Sequence, residues 1–113
     1  MKPIVKVCDI ETSISWYEDF LDFKCIYKSS IKDPDYVVLE NEHGELLLAQ
    51  DPEKKSYASN LFLIEVSNIN KAYEYVQVKG CIIKQPIEEG FFGGKQFIIK
   101  DYEDNKIIYK QKA

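Results

Sequence analysis

Not one of the 113 residues is arginine; all 15 basic side chains are lysine. Without the planar guanidinium fork, the two-point grip on phosphate or carboxylate is missing. A formal net charge of −4 also removes the basic footprint that a nucleic-acid partner needs. Neutral or cationic ligands are therefore favoured over anionic ones. Histidine occurs once, as His43 in the turn-like "NEHG", where a solvated side chain is the ordinary outcome. Cys8, Cys25 and Cys81 are an odd set with no C-x-x-C spacing, so they read as small reduced core residues. No apolar run approaches the ~20 residues of a membrane span. The opening "MKPIVKVCDI" lacks the marks of a signal peptide, and a cytoplasmic location is the expectation.

What is present is the composition of one ordinary globular domain, 45% hydrophobic and 30% charged. A pattern occurs twice. "VCDIETSISWYEDFLDFKCIYK" from Val7 and "VSNINKAYEYVQVKGCIIK" from Val66 each read as a strand end, a cap, an amphipathic helix and a strand. Asp9 and Asn68 are suitable N-caps, and Gly80 fits a left-handed C-terminal cap. Ile10, Ile14, Tyr17 and Leu21 fall on one helical stripe; Ile69, Ala72, Tyr73 and Val76 fall on another. Trp16 and Phe20 read as the half-buried side of the first helix.

Downstream, "DYVVLENEHGELLLAQ" and "KQFIIKDYEDNKIIYK" share a strand–turn–strand layout, with turns at 41–44 and 101–105. Each half is thus βαβββ, and the fold class is α+β. Residues 1–50 and 60–113 form the modules and residues 51–59 the linker. One helix cannot cover both faces of four strands, so the halves are expected to join. The expected product is one curved eight-stranded mixed sheet around a groove, helices outside.

The order of these pieces, with the closing "GGKQFIIKDYEDNKI", resembles the vicinal oxygen chelate superfamily of glyoxalases, bleomycin-resistance proteins and dioxygenases. Asp104-Asn105 stands where that family more usually has Asp-Gly-Asn. The resemblance implies a groove in which the enzymes hold a divalent metal through histidines and glutamates. The corresponding positions here are Lys2, Leu47, Leu61 and Ile108, an ammonium and three aliphatics. Such groups do not ligate metals, so no metal and no cofactor are expected. The resemblance then points to the bleomycin-resistance type, which sequesters a small aromatic or cationic molecule without chemistry. It also implies a homodimer, with swapped and unswapped forms both open. A metal-dependent lyase, isomerase or oxygenase with other ligands is the alternative, and an interaction module with a vestigial groove is a third.

The ligand-binding candidates are Leu47, Leu61 and Ile108 as an apolar floor, with Glu45 and Glu65 at its rim. For the two glutamates a solvated strand end is the competing reading. Phe91 and Phe92, between Gly90 and Gly93-Gly94 in a loop taken as 86–94, read as a flap over the ligand. Glu88 and Glu89 add negative charge beside it. Alternatively, one of the two rings plugs the core and the other meets a partner subunit. Tyr27, Tyr36 and Tyr57 have no position fixed by pattern.

Overall fold

A computed structural model describes residues 3–51, 53, 60–90 and 93–112. The expected βαβββ order appears twice. The first module runs β1 (Ile4–Val7), α1 (Ile10–Leu21), β2 (Lys24–Lys28), β3 (Tyr36–Asn41) and β4 (Gly44–Gln50). The second runs β5 (Leu61–Val66), α2 (Ile69–Lys79), β6 (Ile82–Glu89), β7 (Lys95–Lys100) and β8 (Lys106–Gln111).

Both helices form where their apolar stripes predict. Ile10, Ile14, Tyr17 and Leu21 are buried on α1, as are Ile69 and Val76 on α2. Trp16 and Phe20 stack at 5.1 Å and are half-buried against the core. The Asp9 carboxylate accepts from Thr12 N at 3.2 Å and the Asn68 side chain accepts from Lys71 N at 3.1 Å, each using a free first-turn amide. Gly80 closes α2 at φ 82°; Asp22, at φ 57°, closes α1 without a glycine. Asp104 takes φ 65°, the left-handed conformation that explains why glycine is usual at that point of the hairpin.

One expectation is corrected. The eight strands form two four-stranded sheets, β1-β4-β3-β2 and β5-β8-β7-β6, rather than one continuous sheet. Each sheet is mixed: β1 pairs parallel with β4 and β5 with β8, and the other pairs are antiparallel. Between the sheets, Asn60 Nδ2, just before β5, donates to the Lys6 carbonyl of β1 at 3.1 Å. Proximity without a backbone ladder is invisible to hydrophobic period. A second correction concerns 86–94. Pro86 to Glu89 belong to β6, with Glu88 opposite Gln96 and Glu89 opposite Lys95. Proline is tolerated there because β6 is an edge strand. The cysteines divide: Cys25 and Cys81 pack half-buried against the core, but Cys8 is exposed. Burial pushes the Cys81 thiol up to about 11, so it stays protonated at neutral pH.

A buried polar knot joins the modules. Asp101, 1% exposed, accepts from the Tyr17 hydroxyl at 2.8 Å, Asn105 Nδ2 at 2.8 Å, Asn105 N at 3.0 Å and Glu103 N at 2.8 Å. The Asn105 Oδ1 in turn accepts from Asn60 N at 3.0 Å. Tyr17 comes from α1 of the first module, so this turn of the second module is fastened across the boundary. Burial, and then the adjacent Asp101 charge, hold the Tyr17 hydroxyl well above its usual pKa. The Glu103 carboxylate adds contacts to Cys8 N at 2.9 Å and Asp9 N at 3.3 Å.

Two glutamines repeat one device. Gln50 Oε1 accepts from Ile10 N at 2.9 Å and its Nε2 donates to the Cys8 carbonyl. Gln111 Oε1 accepts from Ile69 N at 2.8 Å and its Nε2 donates to the Ser67 carbonyl. Each ties the last residue or so of its module to the start of its helix. Gln50→Ala and Gln111→Ala are each expected to cost about 1–2 kcal/mol, the cost of an orphaned helix amide. The sites are remote and have no common partner, so urea denaturation of the double variant should give close to the sum.

Candidate functional site

Each sheet turns one face to its helix and leaves the other open. Alternation decides which residues lie where: Leu46 and Leu48 are buried on the helix side, whereas Leu47 between them is half-buried on the open side. Ile107 and Tyr109 are likewise buried, with Ile108 half-buried on the open side. Register extends these positions into rows. Ile4, Leu47, Val38 and Tyr27 lie opposite one another across the first sheet. Leu63, Ile108, Ile98 and Gln85 do so across the second. These rows give each open face an apolar centre. Leu61 lies on the same face of β5 as Leu63, one step along, and is 63% exposed.

The modules differ at the far end of the rows. In the first, Tyr27 and Tyr36 lie with ring centroids 5.8 Å apart, and interaction with the Tyr27 hydroxyl raises the Tyr36 pKa. In the second, the equivalent positions hold Gln85 and Gln96, with Gln96 Nε2 donating to Gln85 Oε1 at 3.2 Å. One face therefore offers stacking and the other an amide pair. Sequence reasoning left both rings unplaced; for Tyr27 the reason is a bulge in β2, between Cys25 and Tyr27, that breaks the alternation.

Glu45 and Glu65 come together. Both line a cavity of about 690 Å³ at the lower end of the β1/β5 boundary, with Pro3, Leu63, His43 and Lys112. Leu47, Leu61 and Ile108 line neither this cavity nor the larger one beside α2. The aliphatic floor and the acidic pair are thus neighbours on the open side rather than walls of one enclosed pocket. Lys2, Tyr57, Phe91 and Phe92 lie outside the described residues. Of the residues that flank the last two, Gly90 donates its N–H to the Gly94 carbonyl at 2.6 Å. A Cβ on Gly90 would come within 2.7 Å of Gln96 Oε1, which would have to swing aside, and within 3.1 Å of the Gly94 carbonyl.

The larger cavity, about 1000 Å³, separates the β3–β4 turn from α2 and is lined by Asp22, Glu42, His43, Lys71, Tyr75 and Tyr109 among others. It is the counterpart, in the repeat, of the place where the longer β7–β8 turn fastens onto α1. The shorter turn does not reach α2, and space remains. His43 is in that turn as expected, but its ring is only 24% exposed, edge-on to Tyr109 at 6.4 Å and 3.4 Å from Glu42. Burial lowers its pKa against the opposing pull of the Glu42 carboxylate, with Lys112 adding to the lowering, so the imidazole is mostly neutral at pH 7.

The chain belongs to the glyoxalase/bleomycin resistance protein/dioxygenase superfamily, whose sequence pattern matches residues 4–109. Among solved structures it is similar to a bleomycin resistance determinant encoded on the transposon Tn5, at 17% identity over 98% of this chain and 95% of that one, TM-score 0.84. It is also similar to the bleomycin-binding protein of bleomycin-producing Streptomyces verticillus in complex with copper(II)-bleomycin, at 17% identity over 100% and 95%, TM-score 0.83. A bleomycin-binding protein complexed with bleomycin matches at 16% identity over 100% and 98%, TM-score 0.82. At these identities the likeness is one of fold. No curated protein sequence matches the chain.

The metal implied by the enzymes of this superfamily does not fit the residues present. Leu47, Leu61 and Ile108, to which the sequence resemblance assigns the ligand positions, offer no donor atom. Among the described residues no group of three or more His, Cys, Asp or Glu side chains is placed to hold an ion. No helix among them is long and apolar enough to cross a membrane.

Proposed function

We propose that the protein binds and sequesters a small aromatic or cationic organic molecule on the open sheet faces, without a metal and without chemical conversion. What supports this reading is aliphatic character where the resemblance puts metal ligands: Leu47, Leu61 and Ile108 carry no donor atom. An apolar floor gains roughly 25 cal/mol for each Å² that a ligand covers. Glu45 and Glu65 at the rim favour a positive group on the guest, and Tyr27 and Tyr36 supply flat surface for a planar one. Phe91 and Phe92 act as the cover in this reading, and Glu88 and Glu89 reinforce the preference for a cation. The solved bleomycin complexes of the same fold support small-molecule binding as the use of such a face. Cytoplasmic sequestration completes the reading.

The test is calorimetric titration with metal-free bleomycin and with ethidium as a planar cation, in the presence and absence of EDTA. At least one should bind with saturable heat, unaffected by EDTA. Leu47→Lys and Ile108→Lys should weaken that binding more than about tenfold, since each sets a like charge against the cationic guest in place of apolar floor. Purified protein carrying a stoichiometric transition metal, or giving no heat with either compound, would overturn the reading.

A further inference from the structure

The two modules share a skeleton, but the corner where a turn meets a helix is built differently in each. The β7–β8 turn seats on α1 through two hydroxyls: Tyr17 donates to Asp101 at 2.8 Å, and Ser13 Oγ bonds the Tyr102 hydroxyl at 2.9 Å. At the corresponding positions α2 carries Val76 and Ala72, whose side chains form no hydrogen bonds. The β3–β4 turn is also one residue shorter, with only Glu42 and His43 between Asn41 and Gly44. Turn and helix both contribute, therefore, to the cavity of about 1000 Å³ that remains between them.

The sheet places a phenol against this space. Register sets Tyr109 opposite Phe97, where the first sheet has Leu48 opposite Val37. The Tyr109 ring is stacked on Phe97 at 4.8 Å, and the residue is 3% exposed. Its hydroxyl nevertheless has no hydrogen-bond partner among the described residues. Among those residues no fully enclosed side-chain oxygen or nitrogen lacks a partner, so this hydroxyl opens into the cavity that Tyr109 lines. A nearly buried donor without an acceptor carries a free-energy cost that a guest with an acceptor relieves. Leu21, Ala72, Tyr75 and Val78 supply apolar wall, and Val78, 81% exposed, lies at its outer edge. Asp22, Glu42 and Glu74 share the lining with Lys71 and Lys112, and Lys79 Nζ is 5.7 Å from the centre of the Tyr75 ring. A guest charged in either sense meets like charge there, whereas a neutral one does not.

We propose that this cavity is a second ligand site, for a neutral, flat molecule bearing a carbonyl-type acceptor. The acceptor takes the hydrogen bond of the Tyr109 hydroxyl, and the body of the guest lies against Tyr75 and Val78. A volume of about 1000 Å³ suits a small organic molecule. Stacking on Phe97 holds the phenol in place before the guest arrives, so little ordering accompanies binding. The second sheet separates this site from the open face: Tyr109 points to the helix side, and Ile108, its neighbour on β8, to the open side. None of the side chains assigned above to the open-face site lines this cavity.

The experiment is a proton–nitrogen correlation NMR titration of the full-length protein with benzamide, and with toluene as the same ring lacking an acceptor. Benzamide at millimolar concentration should give saturable shifts on the amides of residues 41–44 and 67–78. Tyr109→Phe should raise the benzamide Kd about three- to tenfold, the worth of one hydrogen bond, and leave toluene no better or worse bound. The same variant should unfold at an unchanged or higher urea concentration, because no group of the protein loses a partner. Val78→Trp, a change at an exposed position, should block the cavity's outer edge and weaken both compounds. Leu47→Lys, which spoils the open face, should leave the benzamide shifts at 41–44 and 67–78 as they are, so failure of the open-face reading does not imitate failure here. Benzamide shifts that are absent, or confined to the open faces, overturn the proposal. So does a Tyr109→Phe variant that binds benzamide like wild type, or one whose urea midpoint falls, since the hydroxyl would then have a partner within the protein.

Discussion

Asp101→Ala is expected to lower stability by about 3–5 kcal/mol, because four donors lose their acceptor in a buried place. The Tyr17 hydroxyl, two backbone amides and the Asn105 amide all converge on that carboxylate. Three of the four cannot turn to water, since they belong to Tyr17 and Asn105, which are themselves fully buried. Chemical denaturation followed by far-ultraviolet circular dichroism measures the loss. Tyr17→Phe removes one of the four donors and should cost about 1 kcal/mol alone. In the Asp101→Ala background the same change should be close to neutral or favourable, because the orphaned hydroxyl goes with it. Equal costs of Tyr17→Phe in both backgrounds would show that the hydroxyl and the carboxylate do not act as a unit.

Phe97→Ala carries a comparable penalty by a different route, a hole in packing. Phe97 is fully buried, stacked at 4.8 Å on Tyr109 and edge-to-face at 5.0 Å with Tyr73 of α2. Removing the ring forfeits its transfer energy, its aromatic contacts and the fit of α2 on the sheet, in all about 3–5 kcal/mol. The consequence reaches the open face, because Ile98 and Ile108 share strands with Phe97 and Tyr109. A variant that still folds at low temperature should bind the planar probe more weakly, with Leu47 and Ile108 untouched. Thermal denaturation and the same calorimetric titration separate the two effects.

The helices, their caps and the doubled βαβββ plan were legible because each rests on local pattern. A 3.6-residue apolar stripe places Tyr17 and Val76 inward, and an Asp or Asn before the stripe caps it. The aliphatic character of Leu47, Leu61 and Ile108 was equally legible, being a matter of identity at a strand position. Gln50 and Gln111 were not: nothing in a glutamine's local sequence announces that it will hold a helix amide from 40 or so residues away. The division into two sheets, the strand that runs through Pro86, and the meeting of Glu45 with Glu65 all depend on how edges approach in space. The exposure of Cys8 has the same origin, since it sits at the corner between β1 and α1 rather than inside a sheet.

The turn between β3 and β4 stops short of α2, while its longer sibling clasps α1. A duplicated plan has therefore been left with one corner bolted and one ajar. Of two halves that look alike, the second thus keeps about 1000 Å³ of room beneath a turn, space that its twin has filled with side chains.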